Sequence, residues 1–324
     1  MKPLISVVIL NWNGEDFIGK CIDSVRNSSY RNLEIIVVDN ASNDRSIEKI
    51  LNFDNITLIK NEKNLGYAAA NNIGFSKANG KYVVALNNDI FVEPDWLNDV
   101  VRYMEADDSV GIAGCRQMRY GQENVIDGLF HVVDKYLRIS ALGSGKTYDG
   151  ELKSVGPGYV LGVNGGSAVY RKVTYESLNG LDDRFFGYYE DADLYMRAFL
   201  NGWKTVYVPS AVVKHMGSTS FKKDMNRYYF LLERNRLYFL FKNFPVRILI
   251  KFLPLLLYYE LRNLRGFSFG MKKPSLYFNS RLQALRLFKE LASERAYNTS
   301  LFRKKEKMFW MYYRNQIVPL KLET

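Results

Sequence analysis

Short apolar runs alternate with amphipathic stretches along the first 115 residues, and the alternation reads as strands and helices in turn. Ile5 to Leu10, Leu33 to Val38, Ile56 to Ile59, Tyr82 to Leu86 and Val110 to Ala113 are apolar and mostly β-branched, which predicts strands buried in a sheet. Between them, the stretches near Glu15 to Arg26, Asp44 to Asn52, Tyr67 to Ala78 and Pro94 to Glu105 have helical length and spacing. Pro94 fits a first helical position, and Asn79-Gly80 supplies a stop for the helix before it. Strands that alternate with helices predict right-handed βαβ units, hence an α/β fold with a mainly parallel sheet.

From Arg116 to Tyr159 the pattern loosens. Sequence such as ALGSGKTYDGELKSVGPG predicts a loop with no core element, suited to a lid or an acceptor loop. Order returns with Tyr159 to Tyr170, a helix around Tyr188 to Asn201, and short strands at Thr205 to Val208 and Ala211 to Val213. After Lys222 the composition changes to Tyr, Phe, Leu, Arg and Lys. Tyr228, Leu231, Leu232, Asn235, Tyr238 and Phe239 follow helical spacing, with Arg234 and Arg236 marking the polar side. Ile248 to Tyr259 is 12 residues long and contains Lys251 and Pro254. A spanning helix needs about 20 apolar residues, so the segment reads as interfacial, with a buried helix pair as the alternative. Two units result: residues 1–220, with halves of about 1–115 and 116–220, and a basic aromatic helical extension over 221–324.

Charge sharpens that division. The chain of 324 residues is 47% hydrophobic and 24% charged, a globular composition. Its net charge is +11, and from Lys222 onward there are 22 Lys plus Arg against 7 Asp plus Glu, so the basic character belongs to the extension. Basic residues among aromatics suit an anionic membrane surface. Two cysteines, Cys21 and Cys115, are too few for a disulfide framework and suit a reducing compartment such as the cytosol. Leu4 to Leu10 is too short for a signal segment and runs straight into Asn11-Trp12-Asn13-Gly14, so it reads as the first strand.

Candidate chemistry sits where strands end. The run from Tyr82 stops at Asn87, Asn88 and Asp89, at the carboxyl edge where α/β sheets place ligands. A carboxylate there can share a hard divalent cation with substrate phosphates, or the three residues can form a plain polar turn. Asp39 closes the second strand at the same edge, where it can accept from a base or ribose or cap the next helix. The loop at Asn11 to Gly14 lacks the dinucleotide fingerprint, though Trp12 can stack on a base. Asn64 to Gly74 brings Gly66 and small residues to a helix start, which suits close approach of an anion or close helix packing. In LDDRFFGYYEDADLYMR, Asp193 and Arg197 form an i,i+4 pair, and the bulky Tyr188 and Tyr189 lead into Glu190 and Asp191, where a carboxylate can act as general base. His215, one of two histidines, follows a short strand and is a candidate metal ligand.

VVILNWNGE, VVDNASND, NLGYAAANN, LNNDI, FFGYYEDADLYMRAFLNGW and VVKHMGSTS occur in this order between about residues 4 and 220. Together they resemble family 2 glycosyltransferases of the GT-A fold, and within them the rhamnosyltransferase-like branch. The resemblance implies a Rossmann-like, mixed but mainly parallel sheet flanked by helices, with residues 1–220 as the catalytic unit. It implies transfer of a sugar from a nucleotide-sugar donor, such as dTDP-rhamnose or a UDP-sugar, to a hydroxyl of a glycan or lipid-linked acceptor with inversion. By it Asp39 binds the base, Asn11 and Trp12 lie in the base-contacting loop, and Gly66 and Asn71 belong to the donor-proximal helix. Asp89 and His215 hold a divalent metal, Mg²⁺ or Mn²⁺, and Asp191 is the base. Asn87 and Asn88 stand where the family often has acids, so metal binding rests on Asp89, His215 and the diphosphate. The implied place is the cytoplasmic face of the plasma membrane. Two other classes compete: a nucleotidyltransferase, which would want a basic Gly-rich loop after the first strand, and a basic nucleic-acid binder, which would want exposed stacking aromatics. The aromatics of the extension sit within apolar helical runs, so no nucleic-acid partner is expected.

Overall fold

The computed structural model describes residues 2–217, 224–269 and 274–320. Ser218, Thr219 and Ser220 of the VVKHMGSTS segment lie outside them. The apolar runs of the first half form β1 (Ile5–Asn11), β2 (Leu33–Asp39), β3 (Ile56–Lys60), β4 (Tyr82–Asn87) and β6 (Val110–Arg119). The stretches between them form α1 (Ile18–Arg26), α2 (Ser46–Leu51), α3 (Gly66–Ser76) and α4 (Trp96–Ala106). β1 pairs in parallel with β2 and β4, and β2 with β3. Asn11 is thereby set beside Asp39, and Asn87 at the end of β4 lies opposite Leu10. Every side chain from Ile5 to Ile9 is buried, as a strand covered on both faces requires.

The second half makes the sheet mixed. β11 (Val169–Arg171) lies antiparallel between β4 and β6, and β12 (Lys204–His215) runs parallel to β6. β5 (Ile90–Val92) turns back from Asp89 and pairs antiparallel with the end of β12, Ile90 opposite His215. That pairing carries His215 to Asp89, across 126 positions of sequence. The strands expected at Thr205 to Val208 and Ala211 to Val213 are one strand with an irregularity between Val208 and Val212, because a bulge bends a strand without ending it.

Two expectations fail locally. Pro94 is not the first helical residue: α4 starts at Trp96 behind Asp95, while the Pro94 carbonyl accepts from the backbone N–H and the hydroxyl of Ser29. The stretch from Arg116 to Tyr159 is not free of core elements. β7 (Ile126–Gly128), β8 (His131–Val133), β9 (Ile139–Ala141) and α5 (Gly150–Lys153) lie within it, and Ile126, Leu129, Phe130 and Leu137 are fully buried. Its apolar residues are too few per strand for a period to show, and tertiary contact decides their burial.

β10 (Gly158–Val160), α6 (Lys172–Ser177) and α7 (Glu190–Leu200) complete the sheet-bearing part. The extension folds as α8 (Met225–Asn243), α9 (Val246–Lys251), α10 (Leu253–Phe269), α11 (Pro274–Leu287) and α12 (Ala292–Asn315). It ends in β13 (Ile317–Pro319), which adds to the sheet beside β10. Tyr238, Phe239, Phe244 and Phe302 share one apolar cluster with Val8, Val83 and Ala192, so the extension packs on the sheet-bearing part. Arg236 does not mark a polar face: it is 2% exposed and pairs with Glu260 of α10. A helix packed on several sides buries such a residue only with a partner, and Glu260 supplies it.

Candidate active site

The carboxyl ends of β1, β4 and β12, the N-terminus of α7 and the start of α8 surround a cleft of about 360 Å³. Trp12, Gly66, Asn87, Asn88, Asp89, Asp191 and His215 line it. Asp89 and Asp191, 102 positions apart, therefore face one cavity. Asn11, Asp39 and Asn71 are not among its lining residues and sit buried behind it.

Those three form its support. Asp39 accepts from the Asn11 amide at 2.7 Å, the Ser42 hydroxyl at 2.7 Å and the Ser42 backbone N–H at 3.0 Å. The Asn11 side-chain oxygen in turn accepts from the Asn88 side-chain amide at 2.7 Å. Asn11 thus links the β1, β2 and β4 ends into one buried polar strip, which holds Asn88 in place at the cavity wall. Asn71 donates to the Tyr67 carbonyl and keeps a buried, unpartnered Oδ1. Gly66 has a φ of +85°, and a Cβ there would meet the Phe186 carbonyl at 2.4 Å. That same carbonyl accepts from the Tyr67 N–H, so the first amides of α3 hold the 186 turn.

His215 stands between two acids. Its Nδ1 is 2.8 Å from Asp127 Oδ2 and its Nε2 3.4 Å from Asp89 Oδ1. Burial disfavours the charged imidazole, but the bonds and charges of Asp127 and Asp89 outweigh it and raise its pKa from 6.5 to about 10. Asp127 holds Nδ1 and so turns Nε2 toward Asp89, the outer-sphere arrangement that orients a metal-bound histidine. Among the described residues no group of three or more His, Cys, Asp or Glu is arranged to hold a metal ion by itself.

Asp191 opens α7. Its Oδ2 accepts from the Gly165 N–H at 3.0 Å and its Oδ1 from the Ala192 N–H at 2.7 Å. A Cβ on Gly165 would lie 2.8 Å from Asp191 Cβ, and one on Gly166 2.9 Å from Asn87 Nδ2, so both glycines are required by close approach. Glu190, also on the cavity wall, is 6% exposed; burial and then the Asp191 charge push its carboxyl well above the usual range. The turn before α7 is strained, with Phe186, Tyr188 and Tyr189 all at φ between 64° and 69°. Asn235 of α8, fully buried, clamps it by donating to the carbonyls of Phe185, Gly187 and Tyr188 at 2.8 Å each. The predicted Asp193–Arg197 pair forms at 2.7 Å.

Sequence reading missed Asp127, Asn164 to Gly166, and Arg227, all of which line the cleft. The adjacent glycines 165 and 166 are a signal of close backbone approach. Asp127 lies in the stretch taken as loop, and Arg227 in a helix read only for its apolar face. Arg227 rests over the Phe186 ring at 4.3 Å and brings a cation to a cavity otherwise rich in acids.

A family model described as "Glycosyl transferase family 2" matches residues 6–173. An uncharacterized glycosyltransferase of Haemophilus influenzae is 36% identical over 116 residues, which is 35% of this chain and 36% of that relative's length. In fold, the chain is similar to residues 1–349 of S. aureus TarS in complex with UDP-GlcNAc, at 16% identity and a TM-score of 0.59, over 96% of this chain and 91% of that one. It is similar too to the mannosyltransferase PcManGT from Pyrobaculum calidifontis in complex with GDP-Man and Mn²⁺, at 18% identity and a TM-score of 0.57, over 98% and 85% of the two chains.

Proposed function

Because the chain belongs to glycosyl transferase family 2, we propose that it transfers a sugar from a nucleotide-diphosphate donor to a hydroxyl of a glycan or lipid-linked acceptor, with inversion. The observation that carries this reading is the placement of Asp89 and Asp191 on one cavity. Asp191 is the general base: two backbone N–H groups fix its carboxylate, and the cleft is open beside it. It takes the acceptor proton as the oxygen attacks the anomeric carbon in line, and a single displacement inverts the configuration. Trp12 and Asn40 at the cleft wall receive the nucleoside, and Asp39 reaches the base when Ser42 releases it. Arg227 meets the diphosphate.

Asp89 and His215 suit a divalent ion. A carboxylate and an imidazole nitrogen 3.4 Å apart at the cavity wall supply two ligands, and donor phosphates supply more. An oxygen-plus-nitrogen set leans toward Mn²⁺ over Mg²⁺. When bound, such an ion neutralises charge on the leaving diphosphate. Ligation requires His215 to give up its Nε2 proton, while Asp127 retains Nδ1–H.

The extension is proposed to hold the enzyme on the inner face of the plasma membrane. Among the described residues no helix is long and apolar enough to cross a bilayer. Leu253, Leu257 and Leu261 are exposed at i,i+4 spacing on α10, after Val246 and Ile250 on α9, with Lys251 and Arg262 exposed among them. The sugar, which the branch resemblance takes as rhamnose, is settled by a thermal-shift panel of nucleotide sugars with and without Mn²⁺ or Mg²⁺. A cognate donor raises Tm, more so with metal. No response to any nucleotide sugar would refute the donor site.

A further inference from the structure

A second hollow of about 220 Å³ opens beside the cleft, walled by the β8–β9 hairpin and the start of α7. Tyr188, Glu190 and Asp191 line both cavities and so form the partition between them. Among the described residues, Oε2 of Glu190 and Nδ1 of His131 are buried at this wall without a hydrogen-bond partner. Nδ1 lies 3.9 Å from Asp191 Oδ2. The Asn164 side chain favours the charged form of the same imidazole. With Nδ1 unpartnered, the neutral ring is read as the Nε2–H tautomer. Nδ1 is then a bare acceptor facing a carboxylate oxygen, an arrangement that is satisfied only when a proton enters between them.

We propose that this hollow receives the hydroxyl-bearing ring of a pyranoside acceptor, and that His131 takes from Asp191 the proton that Asp191 removes from it. The proposal rests on the sugar-transfer reading. The acceptor O–H bond breaks toward Asp191 Oδ2, and its electron pair stays on the oxygen that attacks the anomeric carbon. The new O–H on Asp191 then breaks as Nδ1–H forms, leaving an imidazolium and restoring the carboxylate. Tyr188 and Tyr189 supply aromatic walls against which a sugar ring can pack.

The relay needs His131 neutral at the start. Burial lowers its pKa, against the Asp191 charge and the Asn164 bond. The titratable groups that face it are Asp191, Glu190 and Tyr195 of α7, whose ring lies 5.8 Å from the imidazole, and Tyr189. Burial, and then the Asp191 charge, push the Glu190 carboxyl well above its usual range and disfavour its charged form. Asp191 is therefore the group that sets the relay.

The chain has two histidines, so ¹⁵N-imidazole spectra separate them cleanly. At pH 7 His131 is expected as the Nε2–H tautomer, and titration with octyl β-glucoside shifts its signals while leaving those of His215 in place. H131Q retains a side-chain amide that can reach Asn164 and removes Nδ1. It is expected to lower kcat about tenfold with donor KM unchanged, and to move the acid-side inflexion of kcat against pH. A charged or Nδ1–H His131 at pH 7, no response to the glucoside, or a variant with wild-type kcat and the same inflexion would overturn the proposal. A wild-type enzyme that releases nucleoside diphosphate from no nucleotide sugar refutes the transferase reading instead, and the spectra still decide the hollow.

Discussion

Asp127 holds His215 from behind, and its carboxylate decides which imidazole nitrogen reaches the cleft. Asp127→Asn keeps the side chain's size and removes its charge. It is expected to weaken Mn²⁺-dependent donor binding about 10- to 100-fold, read as a lost metal increment in the thermal shift. Metal-free nucleotide binding stays as it was. Asp191→Asn is expected to cut transfer by about 10² to 10⁴ with donor binding retained, measured as kcat against Kd. Equal turnover in that variant would remove the assigned base. Both residues are short acids, yet the two tyrosines before Glu190 and Asp191 marked that pair in the sequence, and the family resemblance singled out Asp191. Asp127 had no such surroundings.

At the scale of elements, the strained turn from Phe186 to Tyr189 is held by a helix from the far end of the chain. Left-handed non-glycine residues cost about 1–3 kcal/mol each, and Asn235 of α8 makes three bonds that keep them there. Asn235→Ala takes this donor from the Gly187 and Tyr188 carbonyls, while Phe185 keeps Arg234, and frees the turn that aims Asp191. The expected outcome is a fall in kcat larger than the loss of stability explains, with circular dichroism close to wild type at 25 °C. β5 does similar work on the opposite wall, since its antiparallel pairing sets His215 opposite Ile90, next to Asp89. Hydrophobic periodicity shows that β12 exists but carries no information about which strand it meets.

Across the whole molecule, Lys242 ties the extension to the sheet-bearing part. It is 1% exposed and lies 2.6 Å from Asp182, 2.9 Å from Asp193 and 3.1 Å from Glu294. Burial opposes ionisation of both aspartates, yet Arg184 and Lys242 hold Asp182, and Lys242 and Arg197 hold Asp193, below the usual carboxylate range. Depressed carboxyls stabilise the fold fully above their unfolded pKa, and that stability is lost as pH falls through the folded value. Lys242→Met removes one of the two cations on each aspartate, leaving Arg184 on Asp182 and Arg197 on Asp193; it is expected to cost about 3–5 kcal/mol at pH 7, a cost that shrinks as pH falls and the acids protonate, read as the Tm difference from wild type against pH. Exposed Leu257 and Leu261 carry the membrane reading: their joint replacement by Glu is expected to abolish co-sedimentation with anionic phosphatidylserine vesicles and to leave turnover of a soluble acceptor intact. The alternation of apolar runs by itself determined the βαβ half and the strand ends that lead into Asp39 and Asp89, because burial on both faces of a strand writes itself into local composition. Tertiary structure alone decided that β11 enters antiparallel, that the glycine-rich middle holds core and Asp127, and that the basic extension turns Arg236 and Lys242 inward. Those outcomes depend on partners distant in sequence, and a charge that ends up paired in the core looks, along the chain, like one that meets solvent.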